Sequence, residues 1–184
     1  MAIVIVIVLV AVIVVALYLM VSYNGLVKVR NRIENGWAQI EVQLKRRHDL
    51  IPNLVETVKG YASHERGTLE AVIAARNSAM TASGPAGAAA GENALTGTLK
   101  SLFALGEAYP DLKANTNFLN LQEELSGTEG KIAYARQYYN DEVRSYNTKV
   151  QSFPTNFIAD KFGFKEREYF EAPEGERGPI AVKF

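Results

Sequence analysis

The chain has 184 residues, with 20 basic side chains, 20 acidic ones, two histidines and no cysteine. Zero net charge argues against a nucleic-acid binder, whose affinity rests on neutralising phosphates. The missing cysteine removes disulfide scaffolds, thiolate metal sites and a cysteine nucleophile. No charge precedes Lys28, so the near-zero mean hydropathy averages an oily segment and a soluble one. The soluble part is long enough for one domain with a real core, and two would be crowded.

Ala2 to Tyr23 is apolar except for Ser22. Its 22 residues rise about 33 Å as a helix, enough for a bilayer core of about 30 Å. Ile and Val dominate the run. They are poor helix formers in water, but in lipid the backbone must satisfy itself, and that requires a helix. Tyr18 and Tyr23 sit where aromatic rings suit the interface. A cleaved signal needs a basic start, a shorter core and a small-x-small site. This run has no basic residue before it and ends Ala16-Leu-Tyr-Leu-Met-Val-Ser-Tyr23, so it reads as an anchor. Lys28, Arg30 and Arg32 follow it, which places the body in the cytoplasm and the N-terminus outside. The span has no GxxxG motif, and Ala11 and Ala16 are its only central small residues.

Beyond Asn24-Gly25, Leu26, Val29, Ile33, Trp37, Ile40, Leu44, Ile51, Leu54 and Val58 recur mostly at three and four, an amphipathic helix that can continue from the anchor. The stripe stays in phase across Pro52, which predicts a kink and not an end. Gly60 loosens the chain. Ser63 is the expected N-cap of a helix over Glu65–Met80, with Leu69, Val72, Ile73 and Arg76 on its faces. The small-residue stretch 81–91 reads as a flexible linker. A helix then runs from Glu92 to Ala108 and turns at Tyr109-Pro110-Asp111. The longest helix is expected over Thr116–Phe153, with a heptad seam of Phe118, Leu121, Leu125, Thr128, Ile132, Ala135 and Tyr139. The seam goes on to Val143, Tyr146, Val150 and Phe153, with a stutter at Ala135-Tyr139-Val143. Gly127 and Gly130 weaken its middle and Pro154 stops it. From Thr155 the chain reads as short and irregular, with strand character only at Ile180–Phe184.

Taken together, these features predict an all-α protein: a transmembrane helix over 1–23, an elongated antiparallel four-helix bundle with a coiled-coil-like seam over 24–164, and an irregular tail over 165–184. The aromatic and basic segment Phe157–Phe170 is expected to plug the open end of the bundle, the other option being a place on the membrane surface.

Catalytic signatures do not assemble. A di-metal bundle site needs Glu-x-x-His, and Lys45 and Tyr61 occupy the glutamate positions before His48 and His64. His64-Glu65-Arg66-Gly67-Thr68 begins like a zinc-protease motif but has Thr68 for its second histidine. No nucleophile elbow, P-loop or dinucleotide fingerprint occurs. The expectation is therefore no catalytic, metal or cofactor residues, no cofactor and no small-molecule substrate. Arg46, Arg47, His48, Asp49, Asn53 and Glu56 near Pro52, and Gln122, Glu123, Glu124, Arg136, Asn140 and Arg144 on the long helix, read first as surface ion pairs. A partner-binding role is the alternative, and buried pairs there could fix register without adding stability. Tyr139-Asn140 and Tyr146-Asn147 stand one heptad apart and read as core packing with hydrogen-bonded hydroxyls.

Several stretches resemble the LemA family. They are Tyr23-Asn24-x-Leu26-Val27, Arg30-Asn-Arg32, Trp37 to Arg47, Asp49 to Ala62, His64-Glu65, Ala108 to Ala114, Leu121 to Leu125, Ile132 to Arg136, the two Tyr-Asn pairs and Phe153-Pro154. The resemblance covers nearly the whole chain. It implies a bacterial single-pass inner-membrane protein with a short N-terminus outside and a mainly helical soluble domain. It supplies no activity and no site residue, and a link of related proteins to magnetosome membranes adds a membrane-organising role only by analogy. The function expected is a non-enzymatic, membrane-anchored scaffold that self-associates or organises envelope proteins. The lipid bilayer, further copies of the chain and other membrane proteins are its partners. A dedicated adaptor or regulator of one membrane enzyme is the alternative.

Overall fold

A computed structural model describes residues 1–170. The described residues form helices and no strand: α1 (Ala2–Lys59), α2 (Arg66–Thr81), α3 (Gly84–Ala108), α4 (Pro110–Lys113), α5 (Thr116–Gln151) and α6 (Thr155–Phe162). The expected all-α class holds. The Ile180–Phe184 stretch lies outside the described residues. Cα packing divides the chain into two compact units, one of residues 1–37 and 138–168, the other of residues 38–137 together with Tyr169 and Phe170. Both α1 and α5 contribute to each.

In the first unit, residues 1–21 are all exposed, and this is the one segment among the described residues long and apolar enough to cross a membrane. From Leu26 the pattern changes. Leu26, Val29 and Ile33 of α1 are buried with Tyr139, Val143 and Tyr146 of α5 and with Ile158, Ala159 and Phe164. The buried positions of α5 follow the expected seam, including the two steps of four around Tyr139. The seam ends early. Phe153 is exposed, because α5 stops at Gln151 and the chain breaks direction at Pro154. The expected irregular start of the tail is also corrected. Thr155–Phe162 is the helix α6, closed by Gly163 at φ +71°, with the Phe164 N–H bonded to the Ala159 carbonyl at 2.9 Å. That αL stop suits glycine, which has no Cβ to strain.

In the second unit, α1 continues through Pro52 to Lys59, and Ile51, Leu54, Val55 and Val58 pack with Leu69 and Val72 of α2, Leu95, Leu99 and Leu102 of α3, and Leu112, Phe118 and Leu125. Each such side chain contributes about 1.5–3 kcal/mol on full burial. Ser63 is not a cap. The Tyr61 and Ala62 N–H groups bond back to the Val58 carbonyl, the chain turns, and α2 starts at Arg66 with no side-chain cap.

The larger correction concerns 81–91. Only Ala82 and Ser83 link α2 to α3, and Gly84–Gly91 is helical. Gly84 takes φ +73° and Pro85 opens the first turn, where its missing N–H costs nothing. Alanine is the best helix former, and the small residues permit a close helix crossing. A Cβ on Gly91 would stand 2.9 Å from the Ala79 Cα, whereas one on Gly97 would meet nothing. Gly97→Ala is therefore expected to stabilise the fold by about 0.5–1 kcal/mol through helix propensity. Gly91→Ala is expected to lower stability despite the same propensity gain, because a backbone atom must move. Thermal unfolding of the two variants side by side checks the opposite signs.

Candidate functional site

Three features of the surface and interior stand out: a buried polar network, an aromatic cluster beside the apolar segment, and an open groove.

The network lies in the second unit. Arg47 and His48 are neighbours on α1, and Glu92 is on α3; all three are buried. Arg47 donates from Nη1 to Glu92 Oε2 at 2.8 Å and from Nη2 to Thr96 Oγ1 at 2.8 Å, and it stands 2.9 Å from Glu129 Oε2 of α5. His48 Nε2 lies 2.6 Å from Glu92 Oε1. A carboxylate only accepts, so that ring nitrogen carries the proton. Arg76 Nε of α2 donates to the His48 carbonyl at 2.7 Å. Four helices are thus tied at one level. Both Glu92 oxygens are already engaged, so the arrangement has the character of a clamp. It corrects the surface reading of Arg47 and His48. Arg46, Asp49 and Glu56 of that group form surface pairs: Arg46 with Glu124 at 3.5 Å, Lys45 with Asp49 at 2.7 Å and Lys59 with Glu56 at 3.2 Å. The Lys45 ammonium holds the Asp49 carboxyl below its usual range. On the long helix Arg144 pairs with Asp141 at 3.4 Å, and the Arg136 guanidinium lies 5.5 Å from the Phe170 ring centroid. His64 is exposed in the turn before α2, and Glu65 accepts the Tyr109 hydroxyl at 3.1 Å. Among the described residues no three His, Asp or Glu side chains converge as metal ligands. Glu92 was legible as more than a helix start, since it and Lys100 are the only charged residues between Arg76 and Glu107.

The aromatic cluster belongs to the first unit. Tyr18 Oη lies 3.3 Å from Thr155 Oγ1, and Tyr23 meets Phe162 and Phe164 edge-on at 4.9 and 5.5 Å. The tail beyond α6 is held by α5. Asn147 donates to the Arg167 carbonyl and accepts from the Arg167 N–H, both at 2.9 Å, and the Tyr139 hydroxyl donates to the Glu168 carbonyl at 2.9 Å. Within the Phe157–Phe170 segment Ile158, Ala159 and Phe164 are buried, whereas Phe157 and Phe162 are exposed, as is Phe153 before it. Burial raises the Tyr139 and Tyr146 hydroxyls above the usual value of 10.0. The folded state therefore keeps these protons after the unfolded chain has lost them. This stabilisation is complete below pH 10.0 and is lost as pH rises beyond it. Urea midpoints across that range should fall more steeply for the native chain than for Tyr146→Phe.

The groove, of about 680 Å³, opens between α1 and α5 in the second unit. Gly127, Gly130, Val42 and Tyr134 line it, all exposed, and Gln43 lines it with its Oε1 buried and unpartnered.

These features define an all-helical protein with one exposed apolar helical segment at its N-terminal end. The LemA family model matches residues 36–184, and the chain belongs to the LemA family. It is 30% identical to Protein LemA of Metamycoplasma hominis over 84% of its own length and 71% of that protein. It is 28% identical to Magnetosome protein MamQ 2 of Paramagnetospirillum magneticum over 86% of its length and 68% of that protein. Magnetosome protein MamQ of Magnetospirillum gryphiswaldense is 27% identical over the same shares.

Proposed function

We propose that this chain is a non-enzymatic scaffold, anchored in a bacterial inner membrane by residues 1–23, whose helical body over 24–164 associates with further copies of itself. The observation that carries the reading is α1: twenty exposed apolar residues and, beyond Leu26, the buried stripe of the body, within one helix. Such an exposed apolar surface is stable only when covered, and its length suits a bilayer core. The basic residues after the span favour a cytoplasmic body. The relatives named as magnetosome proteins support a membrane-associated role by analogy.

Anchoring in one plane orients all copies alike and raises their effective concentration, which lets a modest contact assemble them. The groove between α1 and α5 supplies a contact face, with small lining residues at Gly127 and Gly130 for close approach and the exposed Val42 and Tyr134 beside them. The full-length protein in mild detergent, corrected for bound detergent, is expected to have a mass that is a discrete multiple of 20.3 kDa. Val42→Glu and Tyr134→Glu on the groove's rim should shift it towards monomer. A native monomer that copurifies with a different chain would replace the scaffold by the adaptor reading, and a solitary monomer would sink both.

A further inference from the structure

We infer that α6 and the Phe153 turn before it form a second membrane attachment, an interfacial element that lies in the headgroup region beside the anchor. This inference rests on the reading of residues 1–23 as a membrane span. Both ends of α6 are placed against that segment. Thr155 hydrogen-bonds Tyr18, and Phe162 packs on Tyr23. Tyr23 stands five positions after Tyr18, a rise of about 7.5 Å along the helix. The element therefore runs past the last turns of the apolar segment, at the depth where interfacial helices sit, roughly 5–10 Å into the headgroup and acyl boundary.

The chemistry of the exposed face suits that depth. Phe157 is 65% exposed and Phe153 79% exposed, and their rings meet edge-on at 5.9 Å. In water these two rings would be an unpartnered apolar patch beside a still larger one, whereas in a bilayer both patches are covered by the same lipid. The opposite face is committed to protein through Ile158 and Ala159. Lys161, exposed and one turn beyond Phe157, has a stem long enough to lie along the apolar boundary while its ammonium reaches the headgroups. A single spanning helix can turn about its own axis. A second contact off that axis stops the rotation and presents one side of the unit to neighbours.

The test uses full-length protein in nanodiscs of brominated phosphatidylcholine. Trp37, the single tryptophan, is replaced in a Trp37→Phe background so that a new indole reports alone. Phe157→Trp is read with lipids brominated near the headgroup end of the acyl chains. Val10→Trp is read with lipids brominated at the chain centre. The expected result is that both indoles lose most of their emission and that the one at position 157 shifts to the blue. If position 10 is quenched while position 157 keeps a red, unquenched emission, the anchor stands and the interfacial element is refuted. If neither is quenched, the anchor reading fails and this inference falls with it. Phe153→Trp repeats the measurement at a second exposed site, and circular dichroism checks that each variant keeps its helicity.

Discussion

Arg47→Met is expected to lower the unfolding free energy by about 3–5 kcal/mol, because it leaves the Glu92 carboxylate buried without its cation. The guanidinium is almost wholly inside and meets Glu92 and Glu129 at 2.8 and 2.9 Å. The other Glu92 oxygen is committed to His48. Removing the carboxylate as well should restore much of the loss, since Arg47→Met with Glu92→Leu exchanges a buried ion pair for apolar contact. Urea denaturation of the two single variants and the double one gives the coupling between the sites. A single-variant cost under about 1 kcal/mol would place the pair with the solvated surface bridges, whose worth is about that or less.

The second large effect is expected at Asn147. Asn147→Leu deletes both hydrogen bonds to the Arg167 backbone and leaves its N–H and carbonyl without partners, at a cost of about 2–3 kcal/mol. Hydrogen exchange should become faster over residues 165–168, while the buried stripe of α1 around Leu26 and Ile33 keeps its protection. Tyr139→Phe removes only one hydroxyl bond, to the Glu168 carbonyl, and should cost about 1 kcal/mol. Equal effects of the two substitutions would mean that Asn147 has no special hold on the segment.

Much of the helical framework was legible because it is written in local periodicity. The steps of three and four from Leu26 to Val58 and from Phe118 to Tyr146 mark one apolar face, and most of those residues are buried. The misreadings lie where composition speaks for two structures at once. Glycine and alanine over 84–91 favour a loose linker in isolation, but beside Ala79 they form a close helix contact. Ser63 has the chemistry of a cap but stands two residues before the N-cap position, Glu65, because the Val58 carbonyl draws the preceding N–H groups into a turn. Phe153 continues the seam on paper, but α5 ends before reaching it.

The candidate sites divide in the same way. Lys-Arg-Arg-His-Asp over 45–49 is a charge run, and its spacing alone does not tell which members are buried. Arg47 and His48 go inward because Glu92 waits 45 and 44 residues away in sequence, while Arg46 and Asp49 stay in water.

By itself the sequence determined the apolar segment, the phase of each long helix and the lack of a known catalytic signature, since these depend on residue type and spacing within a few turns. The tertiary structure alone decided that Glu92 meets Arg47 and His48, that Asn147 grips the Arg167 backbone, and that Thr155 comes to rest at Tyr18. Each is a meeting of residues distant in the chain. Helical periodicity says which face seeks a partner, but only the packed chain says which partner it finds.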